Sequence, residues 1–288
     1  MWIPLTFIFL FASGFIAARF GVQDAEPFTL LLARSLLVLP ILLLIIKLKR
    51  KPAAWGSVRA RWHQIGIGTL LHGAYLGGVF AAIEAGMTAG LTALLVSLHP
   101  LATVALSKPL FGIRITLKQW VGLFLGAVGV VLVLSPNLAS NPDQITTLSV
   151  AGLLWCLVSL LGISLSTLWQ KHSGGQMGMV EGLVFQYIGA GCIFIVAAAI
   201  IGSFTFHITP RLLLTLAWLV IAISVGAIWL LMLMIERGEA PQVARLFFLV
   251  PPCAAFMAWI LFDETWSTLT MVGAAMVILS LALDRPKA

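Results

Sequence analysis

Ten apolar stretches, at about residues 3–20, 28–46, 63–84, 89–107, 118–134, 149–170, 179–201, 212–235, 240–262 and 268–283, fill the chain almost end to end. A helix of roughly 20 such residues crosses a hydrocarbon layer of ~30 Å. The polar segments between them are too short to fold as a separate soluble domain. Charged residues make up 9% of the chain, against about a quarter in soluble domains. These runs predict an all-α integral membrane protein of ten transmembrane helices, with the lipid bilayer as its constant partner.

The net charge of +7 is placed unevenly. Lys47, Lys49, Arg50, Lys51, Arg59 and Arg61 crowd one short loop, and Lys108, Arg114 and Lys118 crowd another. That is the cytoplasmic-loop bias of membrane proteins and not a nucleic-acid patch. It puts both termini, including the tail 284–288, in the cytoplasm, and the expected location is the inner (plasma) membrane. The outer side keeps Arg19 and Arg211, beside Asp24, Glu26, Glu84, Asp143, Asp263 and Glu264. Cys156, Cys192 and Cys253 lie inside apolar runs and imply no disulfide framework. The first run lacks a basic leader, so no cleavable signal peptide is expected.

The segment from Glu84 to Pro100 occurs twice: adding 152 turns Glu84 into Glu236, Gly86 into Gly238 and Pro100 into Pro252. Proline inside a helix removes a backbone hydrogen bond and clashes with the preceding turn, so Pro100 and Pro252 are expected helix kinks. In a membrane such breaks are tolerated where protein or a water-lined cavity satisfies the freed groups. The same offset pairs Arg19 with Lys171 and Arg34 with Gln186. Residues 1–134 and 149–283 therefore read as two five-helix repeats joined by an external linker, 135–148. An odd number of spans per repeat inverts the second copy relative to the first, around a central cavity.

Several polar or amphipathic residues fall near mid-span, where lipid cannot hydrogen-bond them. His72 and Tyr75, three apart, are expected on one helix face, with Gly73 and Gly77 on a small-residue surface. Ser97 and His99 precede the first kink, and Trp155 and Ser159 lie on a stripe with Gly162 and Ser166. Gln186 adjoins Tyr187, and Trp229 continues a face with Trp218, Ala222 and Val225. His72, Tyr75, Ser97, His99, Trp155, Ser159, Gln186 and Trp229 are the expected substrate pathway. Arg34 either snorkels outward or recognises an anion. No acidic residue sits at mid-membrane, which disfavours a proton antiporter built on a buried carboxylate.

At this point the chain resembles the drug/metabolite transporter superfamily, in its ten-helix form with two EamA-like repeats. The residues carrying the resemblance are Pro27 with Arg34, the Ala-Gly-Leu-Thr-Ala-Leu-Leu-Val-Ser-Leu-His-Pro run ending at Pro100, and Gly122, Gly126 and Gly129. In the second half they are Pro252, Asp263-Glu264 and Gly273. Within the superfamily it is similar to YddG-type amino-acid exporters. The first repeat usually has Glu after its kinked helix, where this chain has Ile113, leaving the loop beside Arg114 without that acid. The resemblance implies an exporter of amino acids working by alternating access, with other small metabolites or drugs as the alternative cargo. The expected functional unit is a monomer, with no cofactor and no metal. An intramembrane enzyme or a haem bundle held by His72 and His99 is the competing class; Gly-x-Ser-Gly and His-Glu-x-x-His motifs are both missing.

Overall fold

The computed structural model describes residues 2–49, 52–112, 116–139, 149–173, 177–227, 229–230, 233–234, 249–264 and 266–283. Among these residues the α-helices are, in order, α1 (Trp2–Gly21), α2 (Pro27–Leu48), α3 (Val58–Gly68), α4 (Gly77–Glu84), α5 (Ala89–Val96), α6 (His99–Phe111), α7 (Leu117–Ala139), α8 (Val150–Ser173), α9 (Met179–Ile200), α10 (Pro210–Ala217), α11 (Val250–Phe262) and α12 (Thr268–Leu283). Among the described residues two wider π-helical segments interrupt them: Thr69–Leu76 joins α3 to α4, and Trp218–Ala227 continues α10. Among the described residues seven helical runs are long and apolar enough to cross a membrane, and α11, α12 and Trp120–Gly129 within α7 are shorter apolar helices. Among the described residues the fold is all-helical apart from one isolated bridge, Ala25 to Phe206.

Local chemistry sets the helix starts. Glu26 caps α2, its carboxylate accepting from Phe28 N at 2.9 Å and Thr29 N at 2.7 Å, which satisfies amides that have no intrahelical partner. Ser57 Oγ accepts from Ala60 N at 3.2 Å and starts α3 early. Arg59 and Arg61, expected in a loop, therefore lie on the first turn of α3. The linker expected from Ser135 also begins later, because α7 runs on to Ala139. Residues 140–148, Ile113, Arg114, Glu236, Gly238, Arg245 and the tail 284–288 lie outside the described residues.

The helices pack in matched pairs. α2 lies along α9, and α7 along α12. α1 contacts α10, the second π-segment and α11; its counterpart α8 contacts α3, the first π-segment, α5 and α6. α2 reaches the second π-segment, as α9 reaches the first. At the α3–α9 seam the backbones almost touch. A Cβ on Gly68 would meet the Gln186 backbone, and one on Gly189 would meet the Ile65 carbonyl. Lipid gives helices no hydrophobic reason to associate, so close backbone packing of this kind drives the contact.

Candidate functional site

The α5–α6 break is built by the residues around Pro100. α5 ends at Val96, Ser97 and Leu98 form a turn, and Pro100 occupies the first turn of α6. Proline has no N–H to give the preceding turn. Hydroxyl groups bond carbonyls on either side of the break. Ser97 Oγ donates to Leu94 O at 2.6 Å, while Thr103 Oγ1 and Ser164 Oγ donate to His99 O at 2.7 and 3.2 Å. The break opens onto a cavity of about 30 Å³ lined by Phe11, Phe15, Tyr75, Ala93, Val96, Ser97, His99, Pro100, Ile163 and Val250. Both halves contribute walls, and the lining is largely apolar. Pro252 falls in the first turn of α11, the matching place, but the segment before Leu249 lies outside the described residues.

His72 and Gln186 belong to a polar belt beside this cavity. The His72 ring stacks on Tyr187 with centroids 4.6 Å apart and planes 18° off parallel. Gln186 Nε2 donates to Gln64 Oε1 at 2.6 Å and to Gln170 Oε1 at 3.4 Å. His72 Nε2, Gln186 Oε1 and Tyr187 OH are buried without a hydrogen-bond partner. Three orphaned polar atoms in one place are uncommon and call for a ligand or water. Gln64, Gln170 and Tyr187 were not singled out as pathway residues in the sequence. For Tyr187 its neighbour Gln186 was the available signal.

Arg34 is 5% exposed and does not snorkel. Its Nε donates to Ser224 Oγ at 3.0 Å, and Ser224 Oγ donates in turn to Leu219 O at 2.9 Å within the second π-segment. Ser224 is 152 residues after His72, as Gln186 is 152 after Arg34. The offset thus relates the Arg34–Ser224 contact to the places of Gln186 and His72, the latter stacked on Tyr187, which follows Gln186 in the chain.

Three expected pathway residues stand elsewhere. Ser159 is fully buried and donates to the Tyr75 carbonyl at 2.8 Å, bracing the first π-segment where its ladder returns to α-helical spacing. Trp155 packs on Phe28 with ring centroids 5.7 Å apart. Trp229 is 59% exposed and does not line this cavity. Its expected face assumed 3.6 residues per turn, and the i→i+5 ladder over Trp218–Ala227 turns the following residues to another side. The same widening separates His72, on the belt, from Tyr75, on the cavity.

Two polar devices close the end of the bundle that carries Asp24. Arg211 grips Asp24 through Nε–Oδ2 at 2.6 Å and Nη2–Oδ1 at 2.7 Å, with Thr209 Oγ1 adding a bond at 2.9 Å. The Arg211 hydrogen bonds hold the Asp24 carboxyl below its usual range. Across the halves, Glu264 accepts from Ala89 N at 3.1 Å and Gly90 N at 3.2 Å, capping α5. Ile113, at the corresponding place after Phe111, has no carboxylate for such a cap.

Known proteins match this architecture over nearly its whole length. The model of the EamA-like transporter family matches residues 1–135 and again 150–283. The "Uncharacterized inner membrane transporter YedA" of Escherichia coli (strain K12) is 26% identical over 95% of this chain and 86% of its own. A "Probable amino-acid metabolite efflux pump" of Salmonella typhimurium is 22% identical over 98% of this chain and 93% of its own. One solved crystal structure shares the fold at a TM-score of 0.66 and 16% identity, covering 98% of this chain and 95% of that one. The chain belongs to the EamA-like transporter family and is a multi-pass membrane transporter, not an enzyme.

Proposed function

We propose that the chain is an inner-membrane secondary transporter that exports amino acids, aromatic and apolar ones among them, or related small metabolites by alternating access. The observation that carries this reading is the cavity at the Pro100 break, walled by Phe11, Tyr75 and Pro100 from one half and Ile163 and Val250 from the other. The names of the relatives agree with it, one as an inner membrane transporter and one as an amino-acid metabolite efflux pump. Residues 1–134 and 149–283 act as inverted repeats, with both termini in the cytoplasm. The matched helix contacts and the recurrence of a π-segment in each half support that arrangement.

At about 30 Å³ the cavity has room for a water or two, far short of the ~300 Å³ of a small-molecule site. Carriage requires α6 and α11 to swing at their proline-bearing first turns until the cavity opens to one face and then the other. His72, Gln186 and Tyr187 then offer unfilled hydrogen-bonding atoms to the solute. The test is uptake of labelled amino acids into protein-loaded liposomes, with and without a pH gradient. Uptake above empty liposomes for at least one apolar or aromatic amino acid is expected. Rates equal to empty liposomes across the panel would contradict the reading.

A further inference from the structure

The Arg34 guanidinium is a buried charge whose compensation is missing from the described chain. Nε alone is bonded, to a neutral hydroxyl that already donates elsewhere. Among the described residues no carboxylate lies within ion-pair distance of Arg34. Asp24 is held by Arg211, Glu26 by the start of α2, Glu264 by the start of α5 and Glu181 by Lys49. A cation inside a membrane is costly unless it is paired or marks a solute path. Ser224, which holds Arg34, follows Ile223, and Ile223 packs on Gly14 of α1 between the cavity residues Phe11 and Phe15. The cavity beside Tyr75 is otherwise apolar, walled by Phe11, Phe15, Ile163 and Val250.

We infer that Arg34 is the anchor for a carboxylate on the transported solute, and that the preferred solutes are amphipathic carboxylates, with an ammonium group tolerated rather than required. This rests on the transporter reading above and names its substrate class. The chemistry is one-sided. A carboxylate reaching Arg34 gains charge-assisted, bidentate hydrogen bonds in a site shielded from water. An ammonium in the same cavity meets aromatic faces and neutral acceptors, and among the described cavity residues no anion. An amine lacking a carboxylate brings a second positive charge toward Arg34. The equivalent position in the other half is the neutral Gln186, so the charge preference comes from one half only.

The experiment is calorimetric titration of the detergent-purified full chain with three probes that share a phenylalkyl body. They are 3-phenylpropanoate (carboxylate only), L-phenylalanine (zwitterion) and 2-phenylethylamine (amine only). The variant Arg34→Gln puts at position 34 the residue already accommodated at 186, and its amide can still donate to Ser224. Arg34→Lys keeps the charge without the bidentate fork. In the parent both carboxylates bind at least about tenfold more tightly than the amine. In Arg34→Gln they weaken by at least about tenfold while the amine does not weaken, and Arg34→Lys falls between. Carboxylate binding unchanged in Arg34→Gln, no carboxylate binding by the parent, or amine binding as tight as the carboxylates would each overturn the inference. So would displacement of 3-phenylpropanoate by a modest excess of sodium chloride, which would assign the site to inorganic anions. If Arg34→Gln does not fold, the order of the three probes on the parent and the Arg34→Lys affinities decide. Liposome uptake of L-phenylalanine separates the two readings. Equal uptake by parent and Arg34→Gln removes the anchor and keeps the transporter. Arg34-dependent binding with no uptake of any solute keeps the anchor and removes the proposed transport.

Discussion

Glu264 joins the two halves through two bonds to the first turn of α5, at 3.1 and 3.2 Å. Those amides have no intrahelical partner and sit at the positive end of the helix dipole. Losing a capping side chain costs about 0.5–2 kcal/mol and losing the charge at the dipole about 0.3–1 kcal/mol. Glu264 is partly exposed, and solvent screening puts the sum at about 1–2 kcal/mol. Opening the cavity at this end requires α5 to part from α11, which packs on it. Glu264→Ala should therefore raise the population open at this face by roughly tenfold, since about 1.4 kcal/mol is one decade. The assay is alkylation of a Ser97→Cys reporter on the cavity wall by a membrane-impermeant maleimide added outside, in a background lacking Cys156, Cys192 and Cys253. A rate about tenfold above the Glu264-containing parent is expected, with Glu264→Gln in between. An unchanged or slower rate would refute the idea that this cap holds the cavity closed.

Three further outcomes are expected. Because Arg211 holds the Asp24 carboxyl below its usual range, the stabilisation it gives is present above the unfolded value and lost as pH falls through the folded one. The melting-temperature gap between the parent and Asp24→Asn should be full above about pH 5 and close in more acidic buffer; a gap that widens in acid would contradict this. Gly189→Val drives a side chain into the Ile65 carbonyl and should cost about 1–3 kcal/mol, seen as a lower melting temperature, whereas an unchanged melt would mean that the α3–α9 seam is looser than described. Tyr75→Ala should slow liposome uptake of bulky apolar amino acids more than that of small ones, while Trp229→Ala, on the exposed surface, should leave both near the parent rate. The reverse pattern would restore Trp229 to the pathway.

The helices were legible because membrane spans announce themselves by length and hydropathy, and caps such as Glu26 before Pro27 mark their starts. The offset of 152 makes Arg34 and Gln186 equivalent positions, and it equally leads from His72 to Ser224. The π-segments were not legible. Over the eight residues Thr69–Leu76 or the ten of Trp218–Ala227, an apolar run reads the same at either helical period. That ambiguity puts His72 and Tyr75 on one face in the sequence, where the structure sets one against Tyr187 and the other on the cavity. A buried serine is equally silent about its partner. Ser97 and Ser159 look alike in sequence, yet one lines the cavity and the other braces the Tyr75 carbonyl. Glu264 was visible as a landmark, but its capping role depends on Ala89 and Gly90, about 175 residues earlier, a separation no local pattern reports.

Inversion of the two halves is the claim from which alternating access follows, and opposite sidedness at repeat-equivalent loops tests it most directly. Val58 opens α3 and Ile208 lies just before α10, two residues from strict correspondence at the offset of 152, and both are exposed. Single cysteines at these positions, in the cysteine-free background, should react with an impermeant maleimide from opposite faces. Ile208→Cys should label in intact cells, and Val58→Cys only in inverted vesicles. Labelling of both from the same face would mean that the halves run parallel, and the alternating-access account would fall with it.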